Sequence, residues 1–377
     1  MLALLSASLI IVCSNNKGDI NMPTQTINRF VVFHYVNLVP MTDDTVLRNQ
    51  TVVIQGDRIV HIGPSATANL PENANVIAGN GRYLMPGLAD MHIHTYDNWT
   101  RWPTSPLKLY LANGVTTIRC FGPEGGDQKH ALRWRQKISK GELVGPTIYA
   151  CGPILYGPVD DPEQRIFEQA EAGFDFIKLY SFLSKEDFQQ AMAAAEQAGM
   201  HTAGHIPMQI GLEETLAGGL DEIAHIEELA WWIFYFDKKK KIKGRKWMSY
   251  VALMAYKQYK QIYQDLGPEE LDEKIGESLS AIADKVKTAN VPVCTTLFID
   301  EVIIEKLFYP DAFIGKPENK FLPQRYHAIF KQGQEKHQVQ FKGGEDFARF
   351  KHHLDLLILS YLKSSDIFLV LGTDSGT

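Results

Sequence analysis

The chain has 377 residues, 45% hydrophobic and 22% charged, with a formal net charge of −6. That balance fits an ordinary globular protein with one large core and room for a second, small domain. The acidic balance excludes nucleic-acid binding through an overall basic surface, and four cysteines without CxxC spacing exclude a disulfide framework or a thiolate metal site.

In chain order, Met1–Cys13 is an apolar run too short to span a bilayer, followed by the polar stretch 14–19. It has the form of an export signal. Its end resembles a bacterial lipoprotein signal, with Cys13 as the acylated residue and membrane attachment through that lipid. Two features depart from the pattern: no Lys or Arg precedes the run, and Val12 is bulkier than the small residue expected there. Residues 1–22 are therefore read as a signal or lipoprotein segment of an exported, periplasmic or membrane-anchored protein. The alternative is a cytoplasmic protein with a ragged N-terminus.

Residues 23–84 read as short strands at Phe30–Val39, Thr51–Gln55, Arg58–Ile62 and Ala74–Ile77, separated by Asp43-Asp44, Gly56-Asp57 and Gly63-Pro64. No helical period interrupts them, which predicts a small, partial β-sandwich subdomain. From Pro86 the pattern becomes apolar strand followed by amphipathic helix. The predicted strands are Leu84–His94, Val115–Phe121, Thr147–Leu155, Phe174–Tyr180, His201–Ile206, Glu222–Ile226, Val291–Ile299 and Ile367–Thr373. The clearest helix covers Lys185–Ala198, with Ser184 as N-cap, Asp187 three residues on, and Gly199 as the stop. Strands alternating with helices in this number predict an α/β fold, a (β/α)8 TIM-like barrel over 85–377, with its chemistry at the C-terminal strand ends.

Two excursions, 229–290 and 300–365, leave from strand ends and are expected to cover the mouth. The first carries a basic run from Lys238 to Lys246 beside an aromatic cluster, read as a solvated insertion. The sequence stops at Thr377, just past the last predicted strand, so the barrel is expected to be C-terminally incomplete. Cys120, Cys151 and Cys294 lie in apolar runs and are expected to be buried free thiols.

The residues with chemical content fall at those strand ends. His92 and His94 in Asp90-Met91-His92-Ile93-His94 share one face of a strand. They are either a metal-gripping pair or a hydrogen-bonded loop pair, and Asp90 is either placed to orient an imidazole or a solvated loop acid. Lys178 sits inside the apolar Phe174–Tyr180, where an ammonium is costly to bury. It is either salt-bridged or converted by CO2 to a carbamate able to bridge two metals. His205 and His225 each end a short apolar strand; singly, such histidines belong to a core, and together they read as ligands. His201 starts its strand, at the wrong end, and receives no role. Asp374 after Phe368–Thr373 suits either a helix N-cap or a metal ligand that accepts a proton from water. Tyr180, two residues past Lys178, is a substrate-binding candidate or packing.

The set Pro86–His94, Gly114–Arg119, Phe176-Ile177-Lys178, Gly204-His205, Ala224-His225 and Gly372–Ser375 resembles the amidohydrolase superfamily, in its imidazolonepropionase and Xaa-Pro dipeptidase-like branch. The resemblance runs from about Phe30 to the end. It implies a distorted (β/α)8 barrel flanked by a small β-sandwich, and two divalent ions of the zinc type. It further implies that His92, His94 and Asp374 hold one ion, His205 and His225 the other, and carboxylated Lys178 bridges them. The implied reaction is hydrolysis of an amide or other C–N bond in a small molecule of dipeptide or N-acyl amino acid type. A metal-activated hydroxide attacks, and Asp374 shuttles the proton. Where relatives often carry a polar residue after the second-strand arginine, this chain has Cys120-Phe121. Ester, lactone or organophosphate hydrolysis, and metal binding without turnover, are the alternatives.

Overall fold

The computed structural model describes residues 30–101, 105–122, 129–237, 245–266, 268–321 and 344–375. The expected export segment with Cys13 lies outside the described residues, as does stretch 238–244 of the basic run. The described chain divides into two compact units, residues 30–88 and 89–375.

The smaller unit is built from β1 (Phe30–Leu38), β2 (Leu47–Gln55), β3 (Arg58–Pro64), β4 (Asn75–Ala78) and β5 (Tyr83–Leu84). They form one mixed sheet in the order β3-β2-β1-β4, with β5 also on β1. Gly56-Asp57 turns the β2–β3 hairpin, leaving Gln55 opposite Arg58. Gly56 takes φ +61°, open to a residue without a Cβ. Val36, Leu38 and Val52 make the buried cluster. Where the sequence predicts a sandwich, the described residues of this unit hold a single sheet. Strand alternation reports which face is apolar, not how many layers cover it.

Among the described residues the larger unit contains eight strands. β6 (Leu88–Ile93), β7 (Val115–Cys120) and β8 (Thr147–Ala150) form one sheet. β9 (Phe176–Leu179), β10 (His201–Gly204), β11 (Glu222–Ala224), β12 (Val293–Cys294) and β13 (Leu369–Val370) form the other, in sequence order and parallel throughout. Backbone pairing crosses both edges. Cys151 and Leu155 bridge to Phe176 and Leu179, and Ile93 bridges to Ser375. Met91 N donates to Leu371 O at 2.9 Å.

The Lys185–Ala198 helix forms where its capping signals place it. Ser184 Oγ accepts from Asp187 N at 3.0 Å, Gly199 closes it at φ +64°, and Phe188, Ala191, Ala194 and Ala195 make its buried face. Three predicted strands are corrected: Leu84 of Leu84–His94 belongs to β5 and the strand itself starts at Leu88, Ile367–Thr373 keeps only Leu369–Val370, and Val291–Ile299 is cut short. Of Val291–Ile299 only Val293–Cys294 pairs, and Phe298 opens a helix that runs to Phe308. Asp300 and Glu301 fall in its first turn, where carboxylates complement the helix dipole. The excursions are helical, with Arg245–Leu266 and Pro268–Ala289 in the first and Gly344–Ser364 in the second.

Candidate metal centre

The site is assembled from the ends of β6, β9, β10, β11 and β13. His92, fully buried, stacks its ring on Phe121 at the end of β7, with centroids 4.0 Å apart. The segment after β13 docks beside it: Asp374 N donates to His92 O at 2.8 Å, and His94 N to Ser375 O at 2.7 Å. Gly372 makes that approach feasible, because a Cβ there would lie 2.6 Å from the His92 Cβ. Asp374 takes φ +53°. Its Oδ1 stands 3.5 Å from His92 Nε2 and 2.9 Å from His94 Nε2, and its Oδ2 stands 4.0 Å from His225 Nδ1.

His225, at φ +75°, lies with its ring 4.5 Å from that of His92 and 4.6 Å from that of His205. Its Nδ1 is 3.0 Å from Thr296 Oγ1, and its Nε2 is 3.5 Å from Lys178 Nζ. His205 follows Gly204, where a Cβ would overlap the Leu179 carbonyl; glycine lets β10 lie against β9 at this point. His205 Nδ1 lies 2.6 Å from Glu228 Oε1, and Glu228 Oε2 accepts from Ile206 N at 3.1 Å. The Tyr180 ring packs 4.2 Å from that of His205. All six predicted ligand residues are thus brought together, with Tyr180 at their edge.

Three features of this arrangement favour a bound cation. His94 Nδ1 is 3.0 Å from the Gly122 carbonyl, which only accepts, so Nδ1 carries the hydrogen. Its Nε2 then faces a carboxylate oxygen at 2.9 Å, a gap that calls for a positive charge, proton or metal. Burial holds the His92 imidazole well below its ordinary pKa and so neutral, and neither of its nitrogens makes a hydrogen bond. An unsatisfied buried polar group costs about 1–3 kcal/mol, which ligation would remove. Burial likewise keeps His205 and His225 neutral, with Lys178 the next contributor. Donor atoms of His92, His94 and Asp374 lie within 4.8 Å of one another.

Lys178 is 1% exposed, with Nζ 4.6 Å from the Phe121 ring centroid. Among the described residues no carboxylate oxygen lies within 4 Å of it, so the salt-bridge reading has no partner here. Burial lowers its pKa to about 8 against an opposing pull from Asp374. Asp90 corrects its expected role. It orients backbone rather than an imidazole, Oδ1 accepting from His92 N and Thr373 N, and Oδ2 from Thr373 Oγ1 at 2.6 Å.

The sequence reading missed Phe121, Thr296 and Glu228 as supports of the ligands. Glu228 had a signal, an acidic pair two and three residues past His225; Thr296 had none. It also missed a buried group in which Lys351 Nζ meets Asp300 at 2.5 Å, Asp355 at 2.8 Å and Glu227 at 3.4 Å. A cavity of about 1380 Å³ opens at the N-terminal strand ends beside Met91, Arg119, His201 and Glu222, and none of the six ligand candidates lines it. Cys120, Cys151 and Cys294 are buried and free, as expected.

Parallel strands carrying histidines, a lysine and an aspartate at one end define an α/β protein with a candidate metal-binding site. No protein-family model matches the chain. An adenine deaminase from Staphylothermus marinus is 34% identical over 90 residues, 23% of this chain and 15% of the relative. An imidazolonepropionase from Alkaliphilus oremlandii is 31% identical over 121 residues, 31% of this chain and 28% of the relative. The chain thus spans less than a third of the length of these curated relatives. A crystal structure of a Xaa-Pro dipeptidase with bound methionine is 17% identical, with a TM-score of 0.57 over 92% of this chain and 80% of the other. Matched segments are thus similar to parts of adenine deaminases and imidazolonepropionases, and the fold is similar to that of the dipeptidase and of an amidohydrolase structure that is 15% identical with a TM-score of 0.56.

Proposed function

We propose that the chain is a metal-dependent hydrolase of amide or other carbon–nitrogen bonds in small molecules, built on a closed (β/α)8 barrel. In this reading His92, His94 and Asp374 hold one divalent ion and His205 and His225 a second. Lys178, as its carbamate, would supply a ligand to both. The convergence of these six side chains from five strands carries the reading. Backbone pairing across both sheet edges supports the barrel, and the carbon–nitrogen chemistry of the named relatives supports the bond type.

The residues fit the ions. Imidazole and carboxylate donors suit zinc, and the Nδ1 contacts of His94 and His205 leave each Nε2 to the pocket. Carbamate formation joins the Lys178 nitrogen to the carbon of CO2 and releases a proton, so it needs the neutral amine. A pKa of about 8 makes that form accessible near neutral pH. The product exchanges a buried cation for an anion. When bound, the ions supply a polarising charge for a carbonyl and acidify a water. Asp374, which faces both His94 and His225, is placed to take a proton and pass it to the leaving nitrogen.

The test is metal analysis of the purified chain together with turnover of a panel of dipeptides, N-acyl amino acids and esters, before and after chelation. About two divalent ions per chain, with amide turnover lost on chelation and restored by zinc, is the expected result. A chain that binds no metal overturns the proposal. Metal without turnover of any substrate reduces the protein to a binder, and ester-only turnover assigns it to the alternative hydrolase class.

A further inference from the structure

Beside His205 the chain places an aromatic cluster that no step of the proposed hydrolysis uses. Tyr156 and Tyr180 stack with centroids 4.5 Å apart and 19° between their planes. Phe182 lies 5.0 Å from Tyr156 and 5.5 Å from Tyr180. The cluster reaches the candidate centre directly, through the 4.2 Å contact of Tyr180 with His205. All three rings are only half-buried, whereas Lys178 and the imidazoles of His205 and His225 beside them are buried.

The backbone joins the segments that carry Tyr156 and Tyr180. Leu155 N donates to Lys178 O at 2.9 Å and Tyr180 N to Leu155 O at 3.0 Å, so the neighbour of Tyr156 is tied to the end of β9 on either side of Leu179. A wall fixed in this way is pre-organised, so a ligand that covers it spends little free energy on ordering it. Its chemistry selects by shape: aromatic faces and edges favour other rings in stacked or edge-on contact, each contact being worth about two- to tenfold in affinity beyond area burial.

We propose that Tyr156, Tyr180 and Phe182 form a substrate-recognition wall, and that the group bound beside His205 is a flat aromatic ring in preference to a puckered aliphatic one. This rests on the reading of the strand-end residues as the reacting centre, and it narrows the substrate class to amides that carry an aromatic group next to the scissile bond. Tyr156, which touches none of the six ligand candidates through a ring contact, is the position at which selectivity separates from metal binding.

The experiment compares benzamide with cyclohexanecarboxamide, which have equal numbers of heavy atoms, by calorimetry on the full chain. The wild type is expected to bind benzamide about fivefold more tightly, Tyr156→Phe to keep that ratio and Tyr156→Ala to bring it close to unity. Equal affinities in the wild type, or a ratio that survives Tyr156→Ala, overturn the wall. Should Tyr156→Ala not fold, saturation transfer from tyrosine ring protons to benzamide in the wild type decides the question, its absence counting against the proposal. Turnover of the same amides is read separately. Preferential binding with no metal and no hydrolysis leaves the wall standing and removes the hydrolase reading, and hydrolysis without aromatic preference does the reverse.

Discussion

Lys178 is the residue whose surroundings contradict its chemistry most sharply. It sits in β9 among Phe176, Ile177 and Leu179, all buried, and its nearest polar contact is an imidazole rather than a carboxylate. A charged amine in such a place is costly, and that cost was legible from the sequence, because four apolar residues flank the lysine in Phe174–Tyr180. Its company was not legible, since His225 stands 47 residues away in the chain. If Lys178 bridges two ions as its carbamate, Lys178→Ala should lose most of its metal and activity should fall by roughly a hundredfold or more. A short carboxylic acid added to the variant should restore part of both. Full metal occupancy in Lys178→Ala, read by elemental analysis, would sink the bridging role.

At the scale of elements, local chemistry decides most of what is seen. The Lys185–Ala198 helix begins and ends where its own caps dictate, and its alanine-rich buried face packs without help from any distant signal. Ser184→Ala removes the acceptor for Asp187 N and should cost about 1 kcal/mol, with Ser184→Asp close to wild type. Urea unfolding of the three chains checks this, and an unchanged midpoint in Ser184→Ala would mean the cap is redundant. Strand ends behave differently. Val291–Ile299 reads as one apolar run, yet β12 needs only the two residues that pair with β11 and β13, and the remainder is free to start a helix. Composition cannot mark that boundary, because a short apolar run serves a buried strand and a buried helix equally well.

For the larger unit as a whole, the cross-link that matters most is Arg119–Glu222. Arg119 Nη1 donates to Glu222 Oε2 at 2.8 Å, Nη2 pairs with Oε1, and Nε donates to Met91 O at 2.7 Å. The guanidinium therefore joins β6, β7 and β11, which belong to two different sheets, one residue below His92 and three below His225. Burial alone would raise the Glu222 pKa, but His201 and Arg119 outweigh it and hold the carboxyl at about 2, against an ordinary 4.5. A depressed carboxyl contributes stability that is complete above pH 4.5 and is lost as pH falls toward 2, here on the order of 3 kcal/mol. Glu222→Gln strands a buried guanidinium and should cost about 3–5 kcal/mol at neutral pH. The gap between wild type and variant should narrow as pH falls from 6 to 3. Denaturation midpoints across that range test it, and a constant gap would show that Glu222 does not titrate as described.

The amino-acid sequence by itself determined the alternation of strand and helix, the capped helix at Lys185–Ala198, and the identity of the residues that meet at the strand ends. It could do so because side-chain period, caps and turn residues act over a few positions, and because a histidine, lysine or aspartate stands out in an apolar run. Only the tertiary structure decided which nitrogen of each imidazole faces the pocket, and that Asp90 holds backbone instead of a ring. It also decided that Glu228 and Thr296 anchor the histidines, and that Tyr156 meets Tyr180 beside His205. Those facts depend on parallel strands coming into register across long stretches of chain, and no local pattern records a register set by packing.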